Sequence, residues 1–311
     1  MVETDIHHPT DASLLNDCVR VLDRLMQGCK EESPGMRFEY HRRTKRVKKR
    51  AFQIALTKGK DAKAKRISIY RELLPLCQEV LGMSRACLSE LESMRESCGL
   101  DFLASSFIES FKEYLPLTGQ VIEQCRRRVI EGEKVPADQK VVSIFEPHTD
   151  IICRGKSMSP TEFGHKLSLS TGSSGLVTRY QVCEGNPSDG DLLPGILDKH
   201  LEQFGRGPGA FAGDRRFYSE ENEKLASSEP YHVEYVSIPK PGRRTPKRKA
   251  HESEKWFKLL QRFRAGIEGV LSCLLRALGL TRCLWKGWES FCSYVGLSVV
   301  TFNLRKLAAL L

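Results

Sequence analysis

The 311-residue chain has no pair of cysteines at C-x-x-C spacing, no excess of acidic residues and no internal repeat. Eleven cysteines, an odd number, are scattered from Cys18 to Cys292. That scatter excludes a zinc ribbon and does not read as a disulfide framework. Reduced thiols in a cytosol are the plain expectation. The N-terminal stretch MVETDIHHPTD has neither the basic start nor the apolar run of a signal peptide. The longest apolar stretch near the C-terminus, Phe291 to Phe302, is broken by Ser293, Gly296 and Ser298. It falls short of the roughly 20 residues that a membrane helix needs. A secreted or membrane-embedded protein is disfavoured, and a cytoplasmic location with no membrane partner is expected.

What is present is a globular composition with a basic balance. Hydrophobic residues make up 40% and charged residues 28%, which excludes a disordered or fibrous chain. Lys and Arg number 49 against 39 Asp and Glu, a formal charge of +10. That sign favours an anionic partner, nucleic acid before an anionic membrane. The length suits two domains, or one domain carrying a large insertion.

Along the chain, Leu14, Leu15, Cys18, Val21, Leu22 and Leu25 recur at spacings of three and four. They predict a helix over 11–30, capped by Thr10 or Asp11. Residues 36–135 read as almost wholly helical, because β-branched residues are sparse and strand alternation is absent. The texture then changes. KVVSIFE (140–146), HKLSLS (165–170) and GLVTRYQVCEG (175–185) read as strands bounded by turn residues. A helix is expected over 194–204, a short strand at 210–212, a helix at 219–226 and a strand at 231–238. A basic, proline-containing loop (239–249) leads to one long helix from about 252–255 to about 277. The expected fold is mixed α/β with a helical insertion: 1–35 as the start of the core, 36–135 as the insertion and 136–311 as the main core.

Two carboxylates stand out. Asp214 follows a short apolar strand, where ligands of α/β sheets commonly gather, although an Asp there also serves as a turn residue or helix cap. Glu268 is the only acid between Lys255 and Glu289 and lies among Ile267, Val270 and Leu271. Such an acid is expected to be buried with a partner or a metal, or else to pair with Arg264 one turn back. Separated carboxylates on a basic α/β protein suggest phosphodiester chemistry assisted by two divalent ions, Mg²⁺ being an oxygen-seeking one. His7, His8, His148 and Asp150 invite catalytic readings but suit structural or hydrogen-bonding roles better. Asp150 with Arg154 and Lys156 is a candidate border of a nucleic-acid path.

The segments SIFEPHTDIICRGK (143–156), EFGHKLSLS (162–170), EGNPSDGDLL (184–193), GDRRFYSEEN (213–222) and the long stretch 256–308 resemble bacterial insertion-sequence transposases of the DDE type. The resemblance implies an RNase H-like mixed sheet with flanking helices, two divalent ions (Mg²⁺, or Mn²⁺), cleavage of transposon ends and strand transfer into target DNA. It also implies an oligomer when active and association with the bacterial nucleoid. On it, Asp214 is the second acid of the catalytic and metal-binding triad. Glu268 is the third, within an R-x-x-x-E signature that gives Arg264 a DNA contact. The usual tyrosine of that signature is replaced by Gln261, and the usual downstream lysine by Leu275. The first acid belongs just before a segment like VETDIHHPTD, which here is residues 2–11 and holds Asp5, so that acid would fall upstream of Met1. The chain therefore reads as truncated, with Asp5 the nearest substitute ligand, Asp11 a helix cap and one sheet edge left unpaired.

Two basic runs complete the inventory. Arg42, Arg43, Lys45, Arg46, Lys48, Lys49 and Arg50 form one, and Arg243, Arg244, Lys247, Arg248 and Lys249 the other. Both are expected to contact DNA phosphates, which set affinity and register but carry no sequence information. Trp256, Trp285 and Trp288 suit core or interface roles. Two other readings compete with an active transposase. One is an inactive DNA-binding remnant, and the other is a protein-interaction module built from 36–135.

Overall fold

A computed structural model describes residues 1–98, 102–153 and 161–309. It is a mixed α/β structure with a mixed sheet and flanking helices, consistent with an RNase H-like fold. It divides into two compact units, Met1–Thr4 with Gly164–Leu311, and Asp5–Phe163.

The second unit is helical. Helix α1 (Asp11–Glu32) starts at Thr10, whose hydroxyl accepts from Ser13 N at 3.1 Å while Ser13 Oγ accepts from Thr10 N at 3.0 Å. Asp11 is not the cap. It lies in the first turn, buried, and pairs with Arg128 at 2.8 Å. One face of α1 (Leu15, Cys18, Leu22, Met26) packs with helices α2 (Thr44–Leu56), α3 (Ala62–Cys98) and α4 (Phe102–Cys125). The first helix thus shares one core with Leu73, Val80, Phe111 and Val121. A π-helical turn (Arg126–Ile130) follows α4.

The N-terminus of α2 is fixed by another helix. Asp23 of α1 is buried, and its carboxylate accepts Arg43 N at 3.1 Å and Thr44 N at 2.8 Å. A carboxylate at that end satisfies N–H groups that have no partner within their own helix and complements the helix dipole.

The expected strand over 140–146 is absent. Those residues form a bent segment that buries Val141, Val142 and Ile144. Gln124 takes the place of a neighbouring strand: Val141 N donates to Gln124 Oε1 at 2.9 Å, and Gln124 Nε2 donates to Val141 O at 3.2 Å. Ser143 Oγ accepts from Phe145 N and Glu146 N, which turns the chain. The short strand β2 (Asp150–Cys153) comes next.

In the first unit, strand β1 (Val2–Thr4) is an interior strand rather than an open edge. It pairs antiparallel with β3 (Thr161–Thr171) and parallel with β7 (Arg282–Cys283). The unpaired edge expected beside it is therefore filled by β7. Strand β4 (Val177–Cys183) pairs antiparallel with β3 from Lys166↔Cys183 to Thr171↔Val177. Helix α10 (Trp288–Ala308) lays Phe291, Val295, Val299 and Phe302 against Val2, Val177, Leu274 and Cys283. No helix among the described residues is long and apolar enough to cross a membrane.

A second, two-stranded parallel sheet pairs β5 (Ala210–Ala212) with β6 (Tyr235–Ser237). Helices α5 (Asp189–Phe204) and α6 (Glu220–Ser227) share a core with it. Pro194 inside α5 has no N–H for the Gly190 carbonyl. Asn222 Nδ2 fills that vacancy at 3.0 Å. The expected loop 239–249 is a loop only in its first half. Thr245 Oγ1 accepts from Arg248 N and Pro246 occupies the first turn, so α7 (Pro246–Ser253) begins there. The expected long helix is divided into α8 (Lys255–Ala265), α9 (Ile267–Ser272) and a π-helical turn (Cys273–Ala277), with the first break at Gly266.

Candidate functional site

Asp214 stands directly after β5, as the sequence places it. Its side chain is exposed, and Oδ1 accepts from Arg215 N at 2.6 Å, so it caps the short 3₁₀ turn Arg215–Phe217. The backbone beside it is held from two sides. Gly213 N donates to Ser237 O at 3.0 Å, joining β5 to β6. Gln261 Nε2, from α8, reaches Ser237 O at 2.8 Å, Ser237 Oγ at 3.0 Å and Gly213 O at 3.4 Å. Gln261 is thus a clamp tying α8 to the strand end that carries Asp214. In the sequence it showed only as a departure from a tyrosine.

Glu268 opens α9. Its side chain is 70% exposed, so the expected burial among Ile267, Val270 and Leu271 does not occur. The break at Gly266 starts a new helix, and Glu268 faces solvent from its first turn. The pairing with Arg264 is present, at 3.5 Å from Arg264 Nη2. Arg264 itself is largely covered, and its Nε is buried with no hydrogen-bond partner among the described residues. Asp5, half-buried, belongs to the other unit.

A two-metal centre needs several oxygen ligands converging on a shared space. Among the described residues no three His, Cys, Asp or Glu side chains come together in that way. Asp214 is spent on a turn and Glu268 points into solvent beside Arg264. The carboxylates as arranged do not fit a pair of divalent ions.

The basic runs divide by environment. On α2, Arg43 makes a two-pronged pair with Glu79 and Arg50 pairs with Glu72 at 2.6 Å. Hydrogen bonding to Arg43 holds the Glu79 carboxyl below its ordinary range. Arg42, Lys45, Arg46, Lys48 and Lys49 are exposed. In the second run, Arg248 is nearly buried and bonds to Glu223 and Glu252, each at 2.8 Å, while Arg244 pairs with Glu252 at 2.9 Å. Arg243, Lys247 and Lys249 are exposed.

His148 Nε2 lies 2.9 Å from the buried Glu146, a local contact of the structural kind expected. His7 approaches Asp17 at 3.4 Å, and His8 sits edge-on to Phe163. Asp150 starts β2, whereas Arg154 and Lys156 lie outside the described residues. Trp288 stacks parallel to Phe291 and meets His165 edge-on inside the first unit. Trp256 packs on Tyr235 and His251. Trp285 is 46% exposed and touches Tyr294.

No curated protein and no solved structure matches the chain. Residues 236–308, running from β6 through α10 and containing Gln261, Arg264 and Glu268, match the model of a family described as Transposase DDE domain. This segment is similar to that domain, and it supports a DDE transposase.

Proposed function

We propose that the chain acts on DNA as the catalytic portion of a DDE transposase from a bacterial insertion sequence. The observation that carries this reading is the family match over 236–308, which includes the Arg264–Glu268 pair. On this reading Asp214 and Glu268 are two of the three acids. Arg264, beside Glu268 on the matched segment, contacts the DNA backbone. The reaction is hydrolysis of a phosphodiester at the transposon end, which frees a 3′-hydroxyl. That hydroxyl then attacks a phosphorus of target DNA and displaces the 3′-oxygen bonded there. Mg²⁺ or Mn²⁺ belongs to this proposal. The described carboxylates do not converge on a metal position. Assembly of several copies on transposon ends and residence with the nucleoid are parts of the same proposal.

The same lack of convergence favours a second reading, a DNA-binding remnant without turnover. A nicking assay on supercoiled plasmid with Mg²⁺ or Mn²⁺ separates the two. Nicking that is lost in Asp214→Ala supports the transposase. Plasmid binding without nicking supports the remnant. A chain that neither binds nor nicks DNA overturns both.

A further inference from the structure

The second basic run surrounds an open cleft of about 790 Å³ lined by Gly242, Arg243, Arg244, Thr245, Pro246 and Lys249. Its cations do two different jobs. Arg248 forms part of the wall's frame. It bonds both oxygens of Glu223 at 2.8 and 2.9 Å and Glu252 at 2.8 Å, donates to the Ile238 carbonyl, and lies 4.9 Å from the centre of the Tyr218 ring. Arg244 completes that frame through Glu252 and through the Lys240 carbonyl at 3.1 Å. Glu252 in turn accepts Lys240 N at 2.9 Å. Two carboxylates thus answer Arg244 and Arg248 and fix the loop before any ligand arrives.

Arg243 and Lys249 are left over. Both line the cleft, both are exposed, and neither has an ion-pair partner among the described residues. A fixed wall presenting uncompensated cations suits an anion, because little ordering cost remains for binding. The cleft is open and far larger than one phosphate ion, which suits a stretch of polyanion rather than a small free ligand.

We infer that this cleft is a seat for the phosphate backbone of duplex DNA, with Arg243 and Lys249 as the contacting groups and Arg244 and Arg248 as its frame. The inference rests on the proposed action on DNA and assigns that action one anchoring surface. Contacts of this kind fix register and add affinity without reading bases.

The test is anisotropy of a labelled duplex of arbitrary sequence with the full chain, across a series of salt concentrations. Each lost phosphate contact lowers the slope of log affinity against log salt by about 0.9. The double variant Arg243→Gln/Lys249→Gln should therefore lose about 2 from the slope while keeping the wild-type thermal midpoint, since both side chains are exposed. The double variant Lys63→Gln/Lys65→Gln removes the same charge from the start of α3 and should leave the slope unchanged. If both pairs lower the slope equally, or if the cleft variant binds as wild type does, the cleft assignment fails while the DNA reading stands. If the wild-type chain does not bind the duplex, both fail.

Discussion

Gln261 Nε2 donates to the Ser237 carbonyl at 2.8 Å, and through this amide, together with the Ser237 Oγ donation to Phe257 O at 3.2 Å, α8 holds the strand pair whose end carries Asp214. Ser237 is fully buried, so its carbonyl and hydroxyl have little access to water if the amide is removed. Gln261→Met keeps the length of the side chain and deletes the donor. Ser237 O keeps the Gly213 N–H and Ser237 Oγ keeps the Phe257 carbonyl, so the expected cost is that of one net hydrogen bond, about 1 kcal/mol. Hydrogen exchange locates it: the Gly213 amide, which bonds Ser237 O, should exchange faster in the variant. Unchanged protection there would mean that the β5–β6 pair does not depend on the Gln261 amide.

Gly164 has φ of +152°, and a Cβ there would sit 2.1 Å from Val2 O. Only glycine lets β1 lie this close to β3. Gly164→Ala is expected to separate the two strands and destabilise the first unit by about 3 kcal/mol, combining an unfavourable backbone region with a clash against main chain. Urea unfolding followed by tryptophan fluorescence reports it, because Trp288 packs on His165 next to this position. A wild-type midpoint would show that β1 contributes nothing to that unit.

The helical and strand texture was legible where a pattern belongs to one segment alone. HKLSLS and GLVTRYQVCEG alternate or carry β-forming residues over enough length to show a strand pair, and the apolar face of 11–30 shows a helix. KVVSIFE has the same local look and forms no strand, because its hydrogen bonds go to a side chain 17 residues away, Gln124. Nothing in the segment encodes that partner. The start of α7 was encoded in Thr245-Pro246, a cap followed by a first-turn proline, but the run of charges hid it. At the candidate site, the position of Asp214 after a strand followed from sequence, whereas the clamp by Gln261 and the exposure of Glu268 depend on how α8 ends at Gly266.

Glu252 is the acid on which the loop before α7 depends. Burial pushes its carboxyl up, but the Lys240 N–H and the guanidinium groups of Arg248 and Arg244 outweigh burial and hold it below its ordinary range. A group depressed on folding stabilises the native state in full above its unfolded value, about 4.3 for a glutamate. That contribution is lost as pH falls through the folded value, because the native state then takes up a proton it had resisted. Wild type should therefore lose thermal stability on acidification below about pH 4.3, and Glu252→Gln should show a lower midpoint at neutral pH with a flatter acid limb. Parallel acid limbs in the two proteins would remove Glu252 from this role.

The cysteines supply a readout of the helical core. Burial pushes the Cys18 thiol up to about 12. Cys77 and Cys125 are raised by burial in the same core. Cys153, at the end of β2, is exposed. Alkylation requires thiolate and access. In the native chain at neutral pH, iodoacetamide should mark Cys153 and spare Cys18, Cys77 and Cys125, while in denaturant all four should react. Mass spectrometry of the digested protein assigns each site. The ordering separates two causes of protection, since a high thiol pKa alone would be relieved by raising pH in the folded chain, whereas burial between α1, α3 and α4 persists until those helices part. Labelling of Cys18 in the native chain would mean that α1 does not pack on α3 and α4 as described.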